Sequence, residues 1–137
     1  MKRFIFWGLM TIIVAACTGG KKIVMIEASD NKAVPDDSIK YELETFDTRF
    51  ETWFKLHDNP ALYHSETYYA TWNRQYVDAW NYNAGDPSKS DFFEPIVGYD
   101  PGVDYGFDLN HKLFYYFMYV EHVLKIPILP GGGPKTY

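Results

Sequence analysis

The feature that most constrains the fold of this chain is its N-terminus, which sets a short apolar segment apart from the rest. Lys2 and Arg3 precede an apolar run, Phe4–Ala16, that ends just before Cys17, the single cysteine of the sequence. A membrane-spanning helix needs about 20 apolar residues, whereas the core of a signal peptide needs about 7–15. The run has the second length, and we expect residues 1–16 to be a signal peptide.

The residues at this junction, Val14-Ala15-Ala16-Cys17, resemble the lipobox of bacterial lipoprotein signal peptides. The resemblance implies cleavage after Ala16, a thioether between the Cys17 thiol and diacylglycerol, and acylation of the new amine. We therefore expect the protein to bind the lipid bilayer through acylated Cys17, with no thiol left for a disulfide, a zinc site or a nucleophile. The alternative is a buried N-terminal helix with a chance cysteine, which would have to explain the basic start and the small residues.

The mature chain is acidic. Removal of Lys2 and Arg3 would leave 11 basic residues against 18 acidic ones, a formal charge of −7. Binding to nucleic acid needs a clustered basic surface, so we expect no nucleic-acid partner. The net negative charge also disfavours electrostatic binding to anionic lipid, so the acyl chains would have to supply membrane attachment.

Changes in composition divide the mature chain into three parts. Residues 17–38 are mostly small or polar, and we interpret them as a lipidated tether. Within it, the four apolar residues Ile23–Ile26 are either a short strand or an exposed apolar patch. Apolar and polar residues alternate from Ile39 to Thr45, which predicts a half-buried strand. We therefore place the globular domain at 39–129, followed by a flexible tail at 130–137.

Two helices are predicted in the first half of the domain. Asp47 and Thr48 offer N-cap oxygens to a helix that ends near His57, because Asn59-Pro60 follows. Ser65 caps a second helix. Its apolar face is aromatic, with rings at three- and four-residue steps: Tyr69, Trp72, Tyr76 and Trp80.

A third helix and a possible strand complete the domain. Asp108 is expected to cap the longest helix, Leu109 to about Lys125, and Ile126–Leu129 to pair as an edge strand with residues 39–45. The predicted fold class is α+β, with about three helices packed on a small two- or three-stranded sheet in one mostly helical domain.

The residues that could ligate a metal are poorly placed for it. His111 and His122 share a helix face but lie about 16 Å apart, and His57 and His64 flank a turn without a third ligand. The spacing of Asp100, Asp104 and Asp108 does not match an EF-hand loop. We predict no metal and no cofactor.

Motifs for catalysis are missing from the sequence. It contains no G-x-S-x-G, no Gly-rich loop ending in Lys-Ser/Thr and no G-x-G-x-x-G. Eighteen acidic residues always include some pair at a separation suited to glycoside hydrolysis, so such pairs carry no weight. We predict no catalytic residues.

Aromatic residues are abundant, with 4 Trp, 12 Tyr and 10 Phe. Such rings suit protein interfaces and sugar stacking, but a small domain also needs them to fill its core, and we favour core packing. A binding patch, if the chain has one, is predicted around the second helix and the loop leading to Asp108. Its members would be Trp72, Asn73, Arg74, Tyr76, Trp80, Asn81 and Tyr105.

The pattern W-N-x-x-Y-V-x-x-W-N at Trp72–Asn81, with Tyr41–Leu43 upstream and Asp104–Gly106 downstream, is similar to a family of short Bacteroidota lipoproteins of unknown function. The resemblance covers roughly Tyr41 to Leu129 and implies no activity, cofactor or catalytic residue. Surface-exported lipoproteins of that phylum often carry acidic residues soon after the lipidated cysteine, and Thr18–Lys22 has none. The resemblance therefore implies an outer-membrane anchor that faces the periplasm.

Two hypotheses follow for the function. The first is a non-catalytic cell-envelope lipoprotein that binds another envelope protein. The second is a peptidoglycan or glycan binder, or a weak glycan hydrolase, that stacks sugars on Trp72 or Trp80 beside a carboxylate such as Asp78 or Asp104. Exposure of the tryptophans separates them, because a fully buried ring cannot stack on a sugar.

Overall fold

The computed structural model describes residues 22–29 and 40–135. The signal peptide predicted at residues 1–16, the lipidation site Cys17 and much of the predicted tether lie outside the described residues. Within them, three helices pack on a two-stranded antiparallel sheet, which confirms the predicted α+β class. No helix in these two ranges has the length and apolar character needed to cross a membrane.

The sheet consists of β1 (Met25–Ser29) and β2 (Lys40–Glu44). The strands are antiparallel, and Ile26 of β1 lies opposite Leu43 of β2. Both side chains are buried, as expected for the inward face of a strand with alternating polarity.

The first strand lies inside the stretch that we interpreted as a tether. Besides pairing with β2, it is held by a neighbouring loop: the Ile26 N–H donates to the Val97 carbonyl (2.9 Å), and the Val97 N–H donates to the Val24 carbonyl (3.1 Å). The folded domain therefore begins before residue 39, where we had placed its start. The apolar residues Ile23–Ile26 favoured a short strand in the sequence. Only the tertiary structure shows the two segments that bond to it, β2 and the loop at Val97.

Helix α1 spans Thr48–His57, as predicted, and Asp47 is its N-cap. The Asp47 carboxylate accepts hydrogen bonds from the Arg49 and Phe50 N–H groups (3.0 and 3.3 Å) and from Lys22 Nζ (2.6 Å). Burial alone would raise the pKa of Asp47, but the Lys22 and helix N–H bonds outweigh burial and hold it below its usual value. Asp47 therefore stabilises the start of α1 as a carboxylate.

Helix α2 spans Glu66–Ala84, and the Ser65 hydroxyl accepts from a first-turn N–H, as the sequence predicts. Helix α3 spans Gly106–Met118 and continues as one π-helical turn, Tyr119–Val123. The prediction for α3 was wrong in two respects. It begins before Asp108, which lies in its first turn instead of capping it, and α2 is longer.

Aromatic contacts give the relative direction of α1 and α3. Phe50, early in α1, meets Tyr119 at the end of α3 with ring centroids 5.6 Å apart. Phe54, one turn later, meets His111 near the start of α3 at 5.5 Å. The two helices are therefore antiparallel.

Helices α2 and α3 run in the same direction. Tyr69, early in α2, lies 5.1 Å from the ring of His111, and Tyr76, two turns later, stacks on Phe117 at 4.9 Å. A parallel pair needs a long return connection, which the chain supplies as residues 85–105.

The three helices therefore share two ends. We call the end with the start of α1 and the ends of α2 and α3 the basal end; it also contains Lys22, through its bond to Asp47. The opposite end, with the end of α1 and the starts of α2 and α3, is the apical end. Helix α3 lies between the other helices, and every residue from Leu113 to Val120 is buried.

The segment Ile126–Leu129 is not the edge strand that we predicted. Its N–H groups donate to the Glu121 carboxylate instead, from Ile128 (3.0 Å) and Leu129 (2.9 Å). The Gly133 N–H donates to the other oxygen of Glu121 (3.2 Å), so part of the predicted flexible tail is also held. The half-buried carboxylate of Glu121 thus accepts hydrogen bonds from N–H groups that would otherwise pair with a neighbouring strand.

Candidate functional site

Two rings of the predicted patch lie in the core. Trp80 is fully buried, and its Nε1–H donates to the Glu94 carbonyl (2.6 Å). Tyr76 is also fully buried, and its hydroxyl donates to Glu121 Oε2 (2.8 Å). Burial, followed by the bond to Glu121, raises the pKa of Tyr76. These side chains hold the fold together, and Trp80 offers no face to a ligand.

Asn73 and Tyr105, also predicted for the patch, are buried between elements. The Asn73 amide donates to the Asn110 carbonyl (2.8 Å) and so links α2 to α3. The Tyr105 hydroxyl donates to the Gly98 carbonyl (3.0 Å) and accepts from the Asp100 N–H (2.6 Å). Tyr105 thereby fixes the loop that leads into α3.

The other three patch residues reach the surface. Trp72 is half-buried, and Arg74 and Asn81 are exposed. The side-chain Oδ1 of Asn81 accepts from the Ile96 N–H (2.9 Å), and the Arg74 guanidinium donates to the Tyr99 hydroxyl. Arg74 and Asn81 therefore hold the 96–105 loop against α2 while remaining open to solvent.

Two carboxyl groups meet beside Arg74, in a cavity of about 190 Å³ between α2 and this loop. Partial burial raises the pKa of Glu66, and the hydrogen bond and charge of Asp104 raise it further. The cavity is smaller than the roughly 300–1,000 Å³ typical of small-molecule sites. Its volume suits a protein side chain or a small ion better than a sugar ring together with the adjacent sugars of a glycan.

A second cavity, of about 570 Å³, adjoins the first at Asp104 and Tyr105. It lies between Lys40–Glu42 of β2 and the start of α3, with Tyr41 packed edge-on against Tyr105 at 4.9 Å. The two cavities form one concave area, which we call the apical surface. Its residues are Lys40–Glu42, Glu66, Arg74, Tyr99 and Asp104–Leu109.

A larger and more apolar groove, of about 700 Å³, lies on the flank of the molecule. It runs between Ala79 and Tyr82 of α2 and the segment Pro127–Pro130, with Asp78 and Lys89 also lining it. Asp78, one carboxylate of the glycan hypothesis, therefore lies in a different cavity from Asp104.

A cluster of titratable groups at the apical end was missed by sequence reasoning. His111 is only 4 % exposed, and its Nε2 atom lies 3.6 Å from Asp58 Oδ1, beyond hydrogen-bonding distance. The Tyr63 hydroxyl donates to the same Asp58 oxygen, which raises the pKa of Tyr63 to about 12. Aromatic rings surround the imidazole: Phe54, Tyr63, Tyr69, Phe107 and Tyr115.

Burial lowers the pKa of His111, although the charges of Asp58 and Asp108 act in the opposite direction. The imidazole is therefore neutral at pH 7. It is enclosed by rings and does not face the apical surface, so a substrate cannot approach it in this conformation. Its position in a helical pattern indicated a histidine on a helix, but nothing local indicated Asp58 or Tyr63 as neighbours.

The loop aspartates act as turn formers. Asp100 Oδ1 accepts from the Gly102 N–H (2.7 Å), and Asp104 Oδ1 accepts from the Gly106 N–H (3.0 Å). Within residues 22–29 and 40–135, no three His, Cys, Asp or Glu side chains form a group that could hold a metal ion.

Comparison with known proteins identifies a family. No curated protein and no solved structure matches the chain. One family model matches residues 4–129, that of a family of unknown function, DUF6146. The match covers most of the chain, from the N-terminal apolar segment to the Glu121-bound segment. The chain therefore belongs to the DUF6146 family.

Proposed function

We propose that this protein is a non-catalytic lipoprotein of the bacterial cell envelope that binds another envelope protein. The observation that carries the proposal is the N-terminal segment, in which a basic start and an apolar run of signal-peptide length end at Val14-Ala15-Ala16-Cys17. The family match supports it, because residues 4–129 include both the apolar run and Cys17.

We further propose a Bacteroidota origin and an anchor in the outer membrane that faces the periplasm. The support is the similarity of Trp72–Asn81 to lipoproteins of that phylum, and the lack of acidic residues in Thr18–Lys22.

The proposed contact for the partner is the apical surface. It is concave, and it places a cation, Arg74, beside the carboxyl groups of Glu66 and Asp104. Mixed charges of this kind favour one partner and orientation over others, which is how polar interface groups contribute to specificity. A protein partner with a basic side chain for the carboxyl pair would fit this arrangement.

The glycan hypothesis has less support. Trp80, one of its two stacking rings, is fully buried, and Trp72 is half-buried. Glycosidases separate their two carboxyl groups by about 5–5.5 Å or 6.5–9.5 Å, whereas Glu66 and Asp104 are hydrogen-bonded to each other. Sugar binding is therefore an outcome that the test below can reveal, and not our proposal.

Lipidation is tested with Cys17→Ala in the native host. We expect the wild-type chain to incorporate an alkyne-labelled fatty acid and to sediment with outer membranes, and the variant to do neither. An unlabelled wild-type chain recovered in the soluble fraction would overturn the lipoprotein assignment.

Partner binding is tested by in-cell crosslinking followed by mild-detergent purification of the full-length protein. Arg74→Ala should weaken a stoichiometric crosslink by tenfold or more, whereas Lys55→Ala, an exposed change on α1, should leave it intact. Recovery of cell-wall fragments without a protein would contradict the proposal and support glycan binding.

A further inference from the structure

The described chain enters the fold at the basal end. The Lys22 N–H donates to the Phe92 carbonyl (2.9 Å), and Lys22 Nζ lies 2.6 Å from Asp47 Oδ2 at the start of α1. These two hydrogen bonds fix Lys22, the first described residue, beside the start of α1.

Little chain separates this point from the proposed lipid anchor. Lys22 follows Cys17 by five residues. An extended chain covers about 3.3–3.6 Å per residue, so the two Cα atoms lie no more than about 18 Å apart. Acyl chains on Cys17 would therefore keep the basal end close to the lipid headgroups.

Phe46 is an unusual residue at the basal end. Its side chain is 71 % exposed, although Thr45 and Asp47 on either side are buried. Its backbone φ is +49°, a conformation that bulky L-residues rarely adopt and that costs free energy. The fold thus holds a large apolar ring out in solvent at the end nearest the anchor, and strained backbone positions cluster at functional sites.

Groups of both charge signs lie beside Phe46. Lys22 and Arg49 lie within 4.0 Å of the Asp47 carboxylate, and the carboxylates of Glu44 and Glu51 line the same depression as Phe46. The Arg49 side chain is mostly exposed, so it can stay in water while a neighbouring apolar ring enters the headgroup region.

We propose that the basal end faces the bilayer and that the Phe46 ring contacts lipid there. This orientation directs the apical surface away from the membrane, toward a partner. The inference rests on the proposed function, because it requires an acylated Cys17. The chemistry is that of an interfacial contact, in which an apolar ring enters the headgroup region while nearby basic groups stay in water.

The test uses the full-length acylated protein in phosphatidylcholine vesicles. Because acylation consumes the Cys17 thiol, Phe46→Cys creates the single free thiol, which is labelled with an environment-sensitive fluorophore. Leu56→Cys is the matched control: it is 79 % exposed and lies on α1, eight residues beyond the first residue of the helix and so about 12 Å nearer the apical end along the axis. Arg49→Cys provides a second basal position.

We expect lipids with a nitroxide in the headgroup region to quench the fluorophore at positions 46 and 49 several times more strongly than at 56. Equal quenching at the three positions in protein that floats with the vesicles would overturn this inference alone. Protection of position 46 from aqueous quenchers without lipid quenching would also overturn it, since a protein would then cover Phe46. Failure of the wild-type chain to float or to carry acyl chains would overturn the proposed function, and this inference with it.

Discussion

The polar side chains at the two ends of the three helices differ in how many internal hydrogen bonds they make. At the basal end, Asp47 accepts two helix N–H groups and Lys22, and Glu121 accepts three N–H groups and the Tyr76 hydroxyl. At the apical end, by contrast, His111 Nε2 makes no hydrogen bond to any described residue, and Glu66 meets a second carboxyl group. The two basal carboxylates therefore each accept several internal bonds, although the buried hydroxyls of Thr45 and Tyr116 nearby make none to a described residue.

This difference bears on where the protein can bind. Native folds leave few buried polar groups without partners, so such groups call for an explanation. At the basal end the bonds hold the start of the described chain, α1 and the C-terminal segment together, which suits an end near an anchor. At the apical surface, the carboxyl pair of Glu66 and Asp104 lines an open cavity and can still bond to a basic group of a partner, which suits a binding surface.

The largest effect is expected from Glu121→Ala. The change removes four hydrogen bonds to a carboxylate and leaves the buried Tyr76 hydroxyl without an acceptor. We expect the free energy of unfolding to fall by about 2–4 kcal/mol, measured by urea denaturation of a chain that starts at Thr18. Glu44→Ala, at an exposed position of β2, should cost less than about 0.5 kcal/mol. Similar losses for the two variants would contradict a special role for Glu121.

A smaller loss is expected from Asp47→Ala, about 1–2 kcal/mol, because it removes the N-cap of α1 and the partner of Lys22. The lowered pKa of Asp47 means that its contribution is fully present well above pH 3.8, the ordinary value, and is lost as pH falls through the folded-state pKa. Adding Lys22→Ala to Asp47→Ala should cost little more. Additive losses would show that the pair does not interact.

The apical end should respond to milder acid. Burial lowers the pKa of His111, so the folded state binds its proton less readily than the unfolded state, whose value is near 6.5. The contribution of His111 to the free energy of unfolding is therefore fully present above pH 6.5 and is lost as the pH falls below that value. His111→Phe should remove part of this decline between pH 6.5 and 5 in thermal unfolding. A variant with the same pH profile as the wild type would show that His111 is not its source.

The smallest effect on stability is expected from Asp104→Asn. The amide keeps an acceptor for the Gly106 N–H but removes the charge beside Glu66. The free energy of unfolding should change by less than about 0.5 kcal/mol, while the pKa of Glu66, followed by NMR, should fall toward its ordinary 4.5. Asp100→Asn is the control and should leave Glu66 unchanged. If Asp104→Asn also leaves it unchanged, the two carboxyl groups do not interact.

Local sequence patterns predicted the elements better than the site. The caps at Asp47 and Ser65, the end of α1 at His57 and the strand near Ile39–Thr45 all depend on residues within about four positions of one another. The start of α3 was misplaced because Asp108 resembles a cap, whereas the N-cap position is Tyr105, whose side chain makes no capping hydrogen bond.

The candidate site could be predicted only in part. The sequence indicated α2 and the loop before α3, and Arg74 does lie there on a cavity. It favoured core packing for the aromatic residues as a class but still placed Tyr76 and Trp80 in the patch, because an aromatic stripe looks the same whether it packs on a core or faces a partner. Nor did it pair Glu66 with Asp104 or His111 with Asp58, which lie far apart along the chain.

The sequence by itself determined the α+β class, three helices, the caps of two of them and a separate N-terminal segment that ends at Cys17. Only the tertiary structure decided that β1 pairs with β2, that Glu121 holds the C-terminal segment and that the two ends differ in their polar groups. The physical reason is range. Capping and periodicity depend on near neighbours, whereas burial and the pairing of polar atoms depend on contacts between distant residues.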